Sequence, residues 1–197
     1  VLAASIIFGL AAMVFSRLIG TWGNLAKKYI SYPPLRPFVG GIFIALSVYL
    51  IGNTKYIGLG VPTIVASFSE VQMWYDPLMK ILLTTFTIGV GFKGGEVTPL
   101  FFVGATLGSA LSAILPLHVS ILAGLGFVAV FAGATNTPIA CTLMGIELFG
   151  ADAAVYIGIA CVTAYMFSGH TGIYTSQLIG SPKHIVFWKS KKGRTLK

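Results

Sequence analysis

Apolar residues run along this chain in long stretches, and glycine, proline and polar residues gather between them. From Val1 the sequence is apolar to Leu18, then turns polar and basic through Lys27 and Lys28, which predicts one long helix ending near Ile30. Pro33, Pro34 and Pro37 punctuate the next segment, because proline lacks an N–H donor and restricts the residue before it. A second run from about Phe38 to Ile51 stops at Gly52-Asn53. Gly58-Leu59-Gly60-Val61-Pro62 reads as a helix-breaking turn that opens a short apolar segment ending near Ser67 to Glu70. Further runs extend from Pro77 to Gly89, from Val97 to about Leu115, from His118 to Ala134, from Pro138 to Phe149, and from Asp152, read as an N-cap, to Phe167. Gly169-His170-Thr171-Gly172 then interrupts the chain before a last run from Ile173 to Ile179.

Several of these runs are too short to cross a bilayer, whose hydrocarbon core asks for roughly 20 apolar residues. In hydrocarbon every backbone N–H and C=O must find a partner, so a helix that stops inside the membrane needs protein or a cavity around its end. Short spans broken by glycine or proline are the pattern of substrate sites in secondary transporters.

Composition settles the broad class. Of 197 residues, 56% are hydrophobic and 9% charged, against about 25% charged in soluble domains. The 24 glycines suit closely packed membrane helices. The expectation is an all-α integral membrane protein with roughly seven to nine full or partial crossings. The net charge of +8 is concentrated at the end, where Lys183, Lys189, Lys191, Lys192, Arg194 and Lys197 follow the last apolar run. That placement fits a cytoplasmic tail over residues 183–197 beside anionic lipid, and nucleic acid is not expected as a partner. Cys141 and Cys161 lie in apolar runs without metal-ligand spacing and read as packing residues. The chain opens at Val1 inside an apolar run, so it is expected to be a piece of a longer protein.

The chemistry concentrates in Gly91-Phe92-Lys93-Gly94-Gly95-Glu96-Val97-Thr98-Pro99. Glycines let backbone approach a ligand closely, and a proline suits a first helical turn. A helix starting here presents unpaired N–H groups and the positive end of its dipole, an anion site made without a cationic side chain. The plain alternative for Glu96 is a carboxylate stabilising a helix start by about 0.3–1 kcal/mol, and for Thr98 a capping hydroxyl. Within a membrane an acid is costly when ionised and is functional by default. By that rule Glu147 is also notable, although it reads as structural. His170 reads as a loop hydrogen-bonder.

Gly94-Gly95-Glu96-Val97-Thr98-Pro99 resembles the G-x-F-x-P signature at the central anion site of the CLC family of chloride channels and transporters, with Val97 for the usual Phe and Glu96 for the usual aliphatic residue. The helix sequence Leu100 to Gly108, then Thr137-Pro138 with Glu147 downstream, and Ile173-Tyr174 are similar to later family elements in order. The Glu-Val-Thr-Pro form resembles the branch that exchanges fluoride for protons. The resemblance implies a CLC-type fold over residues 1–182, the C-terminal inverted-repeat half with broken and tilted helices. It implies anion binding by Gly95, Glu96, Val97, Thr98 and Tyr174, with Glu96 also coupling protons. The implied partners are fluoride or chloride, protons, the bilayer (of a bacterial inner membrane), a second copy through the Leu143–Phe167 region, and the N-terminal half, whose gating-glutamate motif does not occur in these residues. No catalytic residue, metal or cofactor is implied. Chloride transport or conduction in the same fold is the nearer alternative. A non-transporting membrane subunit, or a hydrolase built on Ser168 or Ser176 with His170, are the remoter ones.

Overall fold

The computed structural model describes residues 1–174, 176–178 and 183. Most of the basic tail, residues 184–197, and Ile179 at the end of the last apolar run lie outside the described residues. Among the described residues eight α-helices follow one another: α1 (Leu2–Tyr29), α2 (Leu35–Ile51), α3 (Val61–Ala66), α4 (Asp76–Gly89), α5 (Val97–Leu111), α6 (Val119–Thr135), α7 (Pro138–Phe149) and α8 (Ala154–Phe167). Among the described residues α1 is the one helix long and apolar enough to cross a membrane unaided. At 1.5 Å per residue its 28 residues reach ~42 Å.

α1 buries a stripe of Ala4, Phe8, Ala12 and Phe15, roughly one turn apart, which packs it against α6, α8 and α4. It ends ahead of the prolines, and Arg36 from the next helix donates to the carbonyls of Ile30 (2.9 Å) and Ser31 (3.2 Å) beyond its end. α2 starts at Leu35, three residues earlier than its apolar run suggests, because Pro37 is tolerated in a first turn. Its faces are largely exposed, with Gly40 the buried point where it meets Val90.

The core is the antiparallel pair α5–α6. A methyl group at Gly104 would overlap the Gly126 carbonyl, and one at Gly108 would overlap that of Leu122, so backbone lies directly on backbone. Phe101 stacks on Phe127 at 4.0 Å and meets Phe131 edge-on at 5.0 Å, filling the seam toward the start of α5. Because Gly104 faces Gly126 while Gly108 faces Leu122, the first turn of α5 runs beside the last turn of α6.

Two helix limits differ from the sequence expectation. α5 ends at Leu111, not Leu115, and Ser112, Ala113 and Ile114 continue in tighter turns bonded three residues back. Pro116 disfavours helical geometry at Leu115, and Ser112 Oγ donates to the Ser109 carbonyl at 2.7 Å. Asp152 is not an N-cap. Gly150, at φ 89°, turns the chain into a 3₁₀ turn over Ala151–Ala153, so Asp152 falls inside that turn and α8 starts after Ala153 without a side-chain cap.

Candidate anion site

α5 begins where the glycine loop ends. Glu96 occupies the N-cap position and makes no side-chain capping bond. Among the described residues no acceptor takes the N–H of Gly95, Glu96, Val97 or Thr98, so four donors without acceptors lie at or just before the positive end of a 15-residue helix. Gly94 and Gly95 have open space where a side chain would stand. Glu96 and Thr98 are half-buried, Val97 is 37% exposed, and Pro99 and Leu100 are buried. Neither the Glu96 carboxyl nor the Thr98 hydroxyl is committed to a hydrogen bond within the described residues. The plain reading of Thr98 as a capping hydroxyl therefore finds no bond to support it.

A cavity of about 830 Å³ opens beside this start. It is lined by Gly94, Gly95 and Pro99, by α2 and α4 through residues such as Ala45 and Thr87, and by the loop Tyr56–Leu59. Gly95 is thus in the cavity wall, while Glu96, Val97 and Thr98 stand at the adjoining helix start.

On the other flank lies the junction of α6 and α7. Asn136 takes a left-handed conformation (φ 60°), which reverses the chain between Thr135 and Pro138. Thr135 Oγ1 donates to the Phe131 carbonyl (2.8 Å) and lies 2.7 Å from Thr137 Oγ1, holding the turn. The segment after α8 is tied to this end of α6 by three bonds: Ile173 N–H to Ala134 O at 3.0 Å, Asn136 Nδ2 to Thr171 O at 3.2 Å, and Gln177 Nε2 to Thr135 O at 3.1 Å. Since the last turn of α6 adjoins the first turn of α5, these bonds carry Tyr174 to the same end of the helix pair as Glu96. Tyr174 is 46% exposed there.

Of the remaining singled-out residues, His170 Nε2 accepts from the Lys183 amide at 3.2 Å, as a loop hydrogen-bonder does. Ser168 is buried, donates to Tyr165 O at 3.0 Å and accepts from Lys183 Nζ at 2.7 Å, an arrangement that occupies the hydroxyl a hydrolase would need free. Glu147 is exposed on α7. Cys141 and Cys161 are buried free thiols in the core.

One polar cluster escaped the sequence reading. Asp76, at the start of α4, accepts from Lys55 Nζ (2.6 Å), Tyr56 Oη (2.6 Å) and the Met73 amide (3.2 Å). Lys80, one turn on, is buried and donates to the carbonyls of Tyr56 (3.1 Å) and Gly58 (2.7 Å). The signal that could have found it is a lysine inside an apolar run, the same rule that marked Glu96.

An architecture helical throughout the described elements, with broken spans and a helix start rich in free amides, defines an integral membrane protein of the CLC class. A family profile described as "Voltage gated chloride channel" matches residues 1–169, and the chain belongs to that family. It is 50% identical over 190 residues to a "Chloride/fluoride channel protein" of Pseudomonas syringae pv. tomato, covering 93% of this chain and 42% of that relative. A "Voltage-gated ClC-type chloride channel" of Salmonella typhimurium is 31% identical over 182 residues, covering 84% of this chain and 35% of the relative. The fold superposes on the crystal structure of a CLC-type fluoride/proton antiporter with a TM-score of 0.85 and 36% identity, over 88% of this chain and 44% of that one. The chain therefore spans less than half the length of these relatives.

Proposed function

We propose that this chain supplies one anion-binding helix start of a CLC-type membrane carrier, and that the intact protein exchanges fluoride for protons. The observation that carries the reading is the start of α5: four amide donors without acceptors, flanked by an uncommitted carboxyl (Glu96) and an uncommitted hydroxyl (Thr98). Fluoride is small and a strong hydrogen-bond acceptor, so amides, the Thr98 hydroxyl, the Tyr174 phenol and a protonated Glu96 could together replace its hydration. No lysine or arginine is needed at the centre, which keeps the anion releasable. Glu96 is the proton carrier in this scheme, binding a proton and an anion at neighbouring positions. The likeness to a fluoride/proton antiporter supports the branch.

The remaining partners come from the same reading. The exposed apolar residues Ile139, Leu143, Val155 and Val162 on α7 and α8 give a second copy a surface to pack on, and an N-terminal half would complete the site around the start of α5. The membrane would be the bacterial inner membrane, with the tail at its cytoplasmic side.

The test is flux from liposomes holding the intact protein. A fluoride electrode should record fluoride efflux far above chloride efflux, with protons moving the opposite way, and Glu96→Gln should abolish the proton movement. Equal chloride flux would sink the fluoride branch. Passive conduction is a second reading, favoured by the word "channel" in the names of two relatives; fluoride flux with no proton movement in the unmodified protein would select it.

A further inference from the structure

We infer that Lys80 is a fixed positive charge serving the anion path: buried behind the wall of the cavity at the head of α5, it strengthens anion binding through space without touching the ion. This rests on the transport reading above. Lys80 is 1% exposed, and its Nζ lies 4.9 Å from the centre of the Phe102 ring. Its hydrogen bonds go to two carbonyls, those of Tyr56 and Gly58. Among the described residues no carboxylate lies within ion-pair distance of it. Asp76 is the nearest acid in sequence, one turn earlier on α4, and both its oxygens are engaged by Lys55, Tyr56 and the Met73 amide. Lys55 thus takes the one carboxylate of the cluster and Lys80 has none, which leaves a surplus of one positive charge.

Where that surplus sits gives it a use. Tyr56 and Gly58, the residues Lys80 holds, line the same cavity as Gly94, Gly95 and Pro99. Phe102, whose ring lies beside the ammonium, is five residues beyond Val97, about one and a half turns along α5 from its start. A cation in contact with the anion would hold it too firmly to let it move on. At roughly 10 Å in a partly desolvated setting, a charge attracts an anion by an amount that corresponds to about tenfold in affinity. A buried lysine is costly in a membrane protein, and the two carbonyl dipoles and the Phe102 face are what offset that cost here. Pinning the 56–58 loop would require only donors; a role in attraction requires the charge.

Charge and donor can be separated in the intact protein by titrating fluoride, and separately chloride, into wild type, Lys80→Arg and Lys80→Gln by calorimetry. Lys80→Gln keeps a donor and loses the charge; it is expected to weaken both anions by about tenfold, while Lys80→Arg stays within about threefold of wild type. Wild-type affinity in Lys80→Gln would overturn the inference, and so would equal losses in Arg and Gln, which would mark a role in shape alone. If Lys80→Gln does not fold, Asp76→Asn removes the opposing charge from the same cluster and should tighten both anions; unchanged or weaker binding there would count against the charge. A wild-type protein that binds neither anion would remove the transport reading, and this inference with it, before any variant is compared.

Discussion

Replacing Gly104 with alanine adds a single methyl group, and the structure places that methyl on top of the Gly126 carbonyl with the Phe127 Cα 3.0 Å away. Every obstructing atom there is backbone, so no rotamer change relieves the clash and α5 must move away from α6 by ~1 Å. Over-packing of this kind costs roughly 1–3 kcal/mol, and separating the helices also loosens the Phe101–Phe127 stack, worth about 0.5–1.5 kcal/mol beyond its buried area. The expected loss is therefore near the top of that range, a shift of about a hundredfold in the folded-to-unfolded ratio. Gly20→Ala is the matched control. Its added methyl meets nothing within 4 Å on α1, so helix propensity should stabilise by about 0.5–1 kcal/mol. The assay is loss of the folded intact protein against temperature in detergent, read by size-exclusion chromatography, alongside fluoride flux in liposomes. Because α5 carries the anion-receptive start, Gly104→Ala should lower both readings and Gly20→Ala neither. If Gly104→Ala survives heating as well as Gly20→Ala, the backbone-on-backbone contact described for α5 and α6 is wrong.

Three further outcomes are expected. Thr98→Val should weaken fluoride binding by roughly 1–3 kcal/mol through loss of a buried hydrogen bond, and calorimetry with no loss would reject Thr98 as a donor. Asp76→Ala leaves the Tyr56 hydroxyl without its acceptor and Lys55 with Gln72 alone, and should cost roughly 1–3 kcal/mol of stability; unfolding at the wild-type midpoint would show the cluster to be dispensable. Tyr174→Phe should reduce fluoride affinity while leaving the unfolding midpoint in place, since the phenol is exposed and the segment is held by Ile173, Asn136 and Gln177; a lower midpoint with full affinity would assign Tyr174 to folding.

The start of α5 was readable from residues alone, because the signals that open a helix are local. Glycines before it, a proline inside its first turn and an apolar run behind it act within a few residues, as do Gly52 and Asn136 where α2 and α6 stop. The membrane class was readable for a different reason: too few charged side chains exist to cover a water-facing surface. Local signals failed where two of them competed, as at Leu115, where an apolar run met Pro116, and at Asp152, where Gly150 set the turn one step earlier than a capping side chain would.

Residues alone could not decide which polar groups meet. Asp76 finds Lys55 and Tyr56 about twenty positions away, and Ile173 reaches Ala134 across nearly forty. Each pairing depends on how helices are stacked, and stacking depends on which glycines face each other across α5 and α6. Thus the order of the helices and the chemistry at one helix start belong to the sequence by itself. The cavity beside that start, the tethers that hold the segment around Tyr174 to the end of α6 and the burial of Lys80 against two carbonyls were settled only by tertiary packing, because distances between segments far apart in the chain exist only once the backbone has closed.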